Sequence, residues 1–147
     1  MEIKNVTVLG SGIMGHGIAQ ISAMAGYNVV LRDIEQQFLD KAIEKIKWSL
    51  DKLVSKEKIS GEQRNDIFSR IKPIVDLNNA VRDSDLVIEA VPEIMDLKKK
   101  VYAELDKLLT IRLFLHLILV HYQLQKLQIQ FLDRINLLEY TFSIHLS

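Results

Sequence analysis

Val6-Thr7-Val8-Leu9-Gly10-Ser11-Gly12-Ile13-Met14-Gly15 is an apolar run that breaks into three glycines spaced G-x-G-x-x-G and leads into a helical pattern. Each glycine has its own physical task. Gly10 permits a tight strand-to-helix turn, Gly12 lets backbone approach a pyrophosphate, and Gly15 lets the helix pack against a sheet. The free N–H groups of the helix start then face the diphosphate. An ordinary glycine-rich turn can carry the same pattern, so the surrounding chain has to decide between the two readings.

Residues 5–9 read as a first strand, apolar on both faces as in a parallel sheet. Ile13 to Ala25 follow as a helix in which Ile13, Gly17, Ile21 and Met24 recur with helical spacing, while Ala19, Ser22 and Ala23 allow close packing and Gly26 ends it. Tyr27 to Leu31 form the second strand. Asp33 then stands 23 residues after Gly10, near the separation at which a carboxylate reaches the adenosine ribose hydroxyls of a bound dinucleotide. That second feature selects the dinucleotide reading. Asp33 is expected to accept both ribose hydroxyls and to repel a 2′-phosphate, which favours NAD over NADP. Arg32 beside it either points at a phosphate, which would soften the preference, or sits in solvent. His16, next to the turn, is expected as a polar surface or capping residue in preference to a catalytic one.

Residues 35–58 carry a long amphipathic pattern with Phe38, Leu39, Ala42, Ile43, Ile46, Leu50, Leu53 and Val54 on one side. Lys58-Ile59-Ser60-Gly61 reads as a turn and Glu62 to Arg70 as another helix. Leu50, Leu53 and Val54 can thus pair with Ile67, Phe68 and Ile71 in a protruding helical pair near 35–70. The lysines at 45, 47, 52, 56 and 58 read as a solvated face before they read as a site for an anionic substrate tail. Ile71 to Val75 are a third strand, with Pro73 marking an edge or a strand entry. Asn78 to Val81 make a short helical turn. Asp85 to Val91 are the next strand and end at Pro92-Glu93. A ligand across the carboxyl ends of these strands would meet Ala90, Val91 and Glu93 opposite the glycine turn. Asp96 to Leu109 read as a helix with Leu97, Val101, Leu105 and Leu108 buried, and Lys98 near its start either reaches the cofactor or is simply exposed.

Composition narrows the function further. With 147 residues there is room for one sizeable core but hardly for a nucleotide domain plus a full substrate domain. Lys+Arg and Asp+Glu both total 19, so no global basic field points to nucleic acid. The absence of cysteine removes disulfides, thiolate catalysis and cysteine metal sites, and fits a cytoplasmic protein. Met1-Glu2-Ile3-Lys4 runs directly into a strand pattern and shows no signal-peptide pattern. The longest apolar stretch, Leu113 to Val120, is far shorter than the roughly 20 residues of a membrane span.

The order of these features resembles the N-terminal domain of the NAD-dependent 3-hydroxyacyl-CoA dehydrogenases over about residues 3–109. The matching pieces are Val6 to Gly15, Arg32-Asp33, the long helix ending in Leu53 to Ser60, the segment Asp83 to Glu93, and Leu97-Lys98-Lys99-Lys100-Val101. The resemblance implies an α/β fold, a Rossmann-like parallel sheet with helices on both faces. It implies that Gly10, Gly12, Ile13, Met14, Gly15, Asp33, Glu93 and Lys98 line NAD and that the helical pair borders an acyl-CoA site. The implied reaction is oxidation of an L-3-hydroxyacyl-CoA to the 3-ketoacyl-CoA in fatty-acid β-oxidation. That chemistry needs a general base, in the family a histidine with a partner glutamate. Those residues follow the part that matches, within or after an Asn-Thr-Ser and a His-Phe-Phe-Asn-Pro segment. Neither segment is present.

From Thr110 to Ser147 the character changes. These 38 residues hold no Gly, Ala or Pro, but ten leucines and three of the four histidines. A Rossmann sheet continuing here should show another strand and marked turns. One explanation is a helical extension, since Leu124, Leu127, Phe131, Ile135 and Leu138 have rough helical spacing. Another is translation in the wrong frame. Suitable codons for Phe114 through Val120 can be read two bases later as Phe-Ala-Ser-Asn-Thr-Ser-Thr, and those available to Tyr122 through Ser147 can spell, in the same frame, a run ending Lys-Phe-Ile-Gly-Ile-His-Phe-Phe-Asn-Pro-Ser. Both missing motifs appear in order, which places a frameshift close to residues 108–112.

The expectation is therefore an incomplete Rossmann domain over 1–109 that binds NAD, followed by an atypical leucine-rich tail over 110–147. No catalytic residue is assigned, and His116, His121 and His145 have no claim to the family's role. A metal site from them lacks the carboxylate pattern expected around zinc. Neither nucleic acid nor membrane is expected as a partner. Acyl-CoA enters by family alone, and since family members pair through the later domain, dimerisation of this stretch is not expected. The alternative is a dinucleotide-binding regulatory or interaction module whose helical tail docks a partner. A third outcome is that the tail takes the place of the next strand in a poorly folded product whose Leu113–Val120 run invites aggregation.

Overall fold

The computed structural model describes residues 3–90, residue 103 and residues 116–119. Its elements run β1 (Asn5–Leu9), α1 (Ile13–Met24), β2 (Asn28–Arg32), α2 (Gln36–Ser55), α3 (Gly61–Ser69), β3 (Ile71–Ile74), α4 (Leu77–Val81), β4 (Leu86–Glu89) and β5 (His116–Leu119). Among the described residues all the strand pairings are parallel, in the order β3-β2-β1-β4-β5. The order reverses between β1 and β4. This is the doubly wound Rossmann arrangement, in which ligands sit outside the carboxyl ends of the strands at that reversal.

Alternation along β1 sorts its side chains between two layers. Val6 and Val8 join one core cluster with Ala19 and Ala23 of α1, Leu39, Ala42, Ile46 and Leu50 of α2, and Ile67 of α3. Thr7 faces the other way, where its hydroxyl donates to the Ala80 carbonyl of α4 at 2.8 Å and lies 2.5 Å from the Ser84 hydroxyl. Helices therefore cover both faces. Val8, Leu31, Leu39, Ile46 and Leu50 are fully buried, each stabilising the fold by about 1.5–3 kcal/mol relative to exposure.

The buried face of α1 differs from the one its large apolar residues suggest. Ile13, Ile21 and Met24 are 85%, 68% and 42% exposed, and the face toward the sheet is Gly15, Ala19 and Ala23. A helix held this close to a parallel strand has room only for small side chains, so the larger ones are turned outward. The helical pair contributes to the same core. Leu50 and Ile67 share the core of β1, with Leu53 and Phe68 packed against it, while Phe38 stays 39% exposed. The turn before α3 is a capping box: the Ser60 hydroxyl accepts from the Gln63 N–H at 3.1 Å, and Gln63 Oε1 accepts from the Ser60 N–H at 2.8 Å. Pro73 lies in β3 at a sheet edge, where a strand tolerates the missing donor.

β5 falls inside the stretch expected as an atypical tail. Its backbone pairs in register with β4, His116 opposite Leu86 through Leu119 opposite Glu89. The sheet thus continues past residue 109. Its Leu-Ile-Leu sequence is of the continuous apolar type common in parallel strands. The helix expected over residues 96–109 lies, apart from residue 103, outside the described residues, as does the helical pattern expected over 124–138.

Candidate functional site

The carboxyl ends of β1, β2 and β4 converge on the turn between β1 and α1. Gly10 occupies φ 98°, a conformation that a side chain would strain, and its N–H donates to the Arg32 carbonyl at 2.8 Å. The turn is thereby tied to the end of β2. The helix begins immediately afterwards because Gly12, extended at φ −63° and ψ −156°, serves as its N-cap.

Gly12 and Gly15 differ in what surrounds them. A Cβ built on Gly15 would lie 1.7 Å from the Gly10 carbonyl oxygen and 3.6 Å from Ala90 Cβ, so α1 sits on the turn with no space for a side chain. A Cβ on Gly12 would meet nothing within 4 Å. Gly15 therefore serves the packing of this chain, whereas Gly12 borders open space. No side chain caps the start of α1 and no acidic residue stands in its first turn. The backbone N–H groups there face that space with the positive end of the helix dipole, the arrangement that suits a phosphate oxygen. Ile13 and Met14, 85% and 57% exposed, flank the same opening.

Asp33 closes the other side. It follows β2 directly, is half-buried, and its Oδ2 accepts hydrogen bonds from the Ser11 backbone N–H at 2.7 Å and the Ser11 hydroxyl at 2.6 Å. Oδ1 accepts from the Ile34 N–H at 2.7 Å. The glycine turn and the carboxylate, 22 residues apart at Ser11 and Asp33, are thus in direct contact. Ala90, at the end of β4, reaches the turn from the third side, its N–H donating to the Leu9 carbonyl at 2.7 Å.

Several expectations meet the structure here. Gly10, Gly12, Ile13, Met14, Gly15, Asp33 and Ala90 are brought to one rim, while Val91, Glu93 and Lys98 lie outside the described residues. Arg32 is neither solvent-exposed nor aimed at a phosphate position: it is 9% exposed, and its Nε donates to the Val75 carbonyl at 3.0 Å. The guanidinium is engaged with the chain after β3. His16 turns its Nδ1 to within 2.5 Å of the Gly12 carbonyl, an acceptor only, which places the ring proton on Nδ1 and the ring against its own helix start. Ser11 was not singled out by the sequence pattern. The signal available for it was a hydroxyl residue directly after the first glycine. Among the described residues there is no group of three or more His, Asp or Glu side chains that could hold a metal.

Comparison with known proteins places this geometry. The sequence profile of the "3-hydroxyacyl-CoA dehydrogenase, NAD binding domain" family matches residues 5–116. A Caenorhabditis elegans protein named "Probable 3-hydroxyacyl-CoA dehydrogenase" is 40% identical over 110 residues, which cover 72% of this chain and 37% of that protein. The crystal structure of 3-hydroxybutyryl-CoA dehydrogenase from Escherichia coli K12 superimposes with a TM-score of 0.72 at 35% identity, over 78% of this chain and 24% of that one. That of (S)-3-hydroxybutyryl-CoA dehydrogenase from Ralstonia eutropha gives a TM-score of 0.73 at 34% identity, over 78% and 40%. The chain spans little more than a third of the length of the nematode relative.

Proposed function

The chain belongs to the 3-hydroxyacyl-CoA dehydrogenase NAD-binding domain family, and from that premise we propose that it binds NAD at the Gly10–Gly15 turn without performing the family's reaction by itself. The observation that carries the binding half is the pairing of an uncapped helix start at Gly12, open on its outer side, with a carboxylate pinned across the turn at Asp33. The start of α1 would hold the diphosphate, Asp33 the adenosine ribose, and Ile13 and Met14 the apolar parts of the cofactor. Ala90, Val91, Glu93 and Lys98 would line the nicotinamide side. A bound nicotinamide supplies a hydride acceptor. In the family's chemistry the substrate would be an L-3-hydroxyacyl-CoA and the product a 3-ketoacyl-CoA.

The second half of the proposal concerns proton transfer. Hydride departure from the substrate carbon needs a base for the hydroxyl proton, and a positioned cofactor cannot replace it. We place that base, with the Asn-Thr-Ser and His-Phe-Phe-Asn-Pro segments, in a reading frame two bases away from the one translated after residues 108–112. Two features support this: the loss of Gly, Ala and Pro from residue 110 onward, and codon choices for the translated residues that can carry both motifs in order two bases later. The parallel strand β5 is compatible with it, since a leucine-rich run satisfies a strand position by hydrophobicity alone.

The coding DNA tests the frame directly. Codons that spell those motifs two bases later are expected, and codons that cannot spell them refute the frameshift. At the protein level, NADH should bind, yet a 3-ketoacyl-CoA should not oxidise it measurably. A protein with the alternative frame restored should do both, and turnover by the chain as translated would refute the missing-base account.

A further inference from the structure

An ionised carboxylate offers about four lone-pair directions, two on each oxygen. On Asp33 three of them are in use: Oδ2 accepts from the Ser11 N–H and the Ser11 hydroxyl, and Oδ1 accepts from the Ile34 N–H. One direction remains, on Oδ1. A ribose presents two adjacent hydroxyls, so a carboxylate held in this way has too few acceptor positions for both.

The Ser11 hydroxyl does not give way easily. Ser11 is 5% exposed, and its hydroxyl has no acceptor other than Asp33 among the described residues. Turning it aside would leave a buried donor unpaired next to a carboxylate, which costs more than the exchange of one hydroxyl for another returns. The Ser11 N–H is equally fixed, because Gly10 beside it is tied to the Arg32 carbonyl. The charge-assisted bond at 2.6 Å is of the stronger kind.

We infer that Ser11 is a positioning residue that restricts Asp33 to one direct hydrogen bond with the adenosine ribose, accepted on Oδ1. This deepens the cofactor reading given above and rests on it. It replaces the expectation that Asp33 accepts both ribose hydroxyls. It also holds the carboxylate in place through both of its oxygens.

The test is a set of titrations of the full chain with NADH and with two analogues lacking either the 2′ or the 3′ hydroxyl of the adenosine ribose. For the wild type, one analogue should bind about tenfold or more weakly than NADH, the loss expected when a hydrogen bond to a charged group is removed, and the other should bind nearly as well. In Ser11→Ala both analogues should weaken, because a second acceptor position on Oδ2 is released. Ser11→Thr, which keeps the hydroxyl, should restore the wild-type pattern. A wild type that loses affinity with both analogues, or with neither, overturns the inference without any variant. An unchanged pattern in Ser11→Ala overturns it as well. Absence of NADH binding to the wild type is a separate result that overturns the cofactor reading itself.

Discussion

Replacing Gly15 by alanine tests the structural part of the glycine motif in isolation from the cofactor. The new Cβ would lie 1.7 Å from the Gly10 carbonyl oxygen and 2.7 Å from its carbon, and real Cβ atoms essentially never come within 3.0 Å of another heavy atom. Separation by about 1.3 Å is therefore the minimum adjustment. Gly10 cannot retreat without breaking its bond to Arg32, so α1 must move away from β1. That movement opens the contact of Ala19 and Ala23, which are 0% and 1% exposed. Overpacking against a side chain costs about 1–3 kcal/mol, and against fixed backbone the upper end applies. The better helix propensity of alanine returns at most about 1 kcal/mol. A net loss of roughly 2 kcal/mol or more is expected, against a total stability on the order of 5–15 kcal/mol. In urea, with a slope of about 1–3 kcal/mol per molar, the midpoint should fall by about 1 M. Gly17→Ala is the control: it lies in the same helix, its Cβ would meet nothing within 4 Å, and it should stabilise by roughly 0.5–1 kcal/mol. A Gly15→Ala midpoint equal to or above the wild type would refute the reasoning.

Further perturbations separate cofactor binding, packing and charge. Gly12→Ala, whose Cβ enters open space but which replaces the N-cap by a poorer one, should cost no more than about 1 kcal/mol of stability, yet weaken NADH by at least about tenfold if the diphosphate occupies that space; calorimetry on folded variant decides it. Thr7→Val keeps the shape but removes the donor to the Ala80 carbonyl and the partner of the Ser84 hydroxyl, so about 1–2 kcal/mol of stability should be lost in denaturant titration, and Thr7→Ser should retain most of it. Asp85 accepts from the Lys4 and Asn5 N–H groups at 2.9 and 2.8 Å, and these bonds, that from Lys4 foremost, hold its carboxyl below the usual value. Its contribution is therefore present above the unfolded pKa of about 3.9 and lost as pH falls through the lower folded value. Asp85→Asn should flatten that part of the acid limb of a stability–pH profile, and an unaltered limb would contradict the assignment.

How much of this was legible in the residues follows from which forces each pattern reports. The apolar runs at 5–9 and 85–91 and the glycine spacing report backbone geometry directly, and strands, turn and Asp33 appear where they indicate. The phase of α1 did not, because Ile13, Ile21 and Met24 look like a buried stripe while close approach to β1 selects Gly15, Ala19 and Ala23 instead. The small-residue series at intervals of four was the better signal. Arg32 reads as a surface residue from its charge alone, and only the position of the Val75 carbonyl, brought alongside by the β2–β3 pairing, explains its burial. Ser11 is inconspicuous in the sequence because hydroxyl residues are common in turns. Its importance rests on a contact 22 residues distant that only the fold creates. The strand at His116–Leu119 lies in the apolar run that the sequence offered as a replacement for the next strand, although the change of composition there also suggested a helical extension.

The account stands most directly on calorimetric titration of the full chain with NADH. It predicts one saturable site per chain whose affinity falls by about tenfold or more in Asp33→Ala, as expected for removal of a charged hydrogen-bond acceptor. Absence of binding to folded wild type up to millimolar NADH, or binding that Asp33→Ala leaves unchanged, would contradict it.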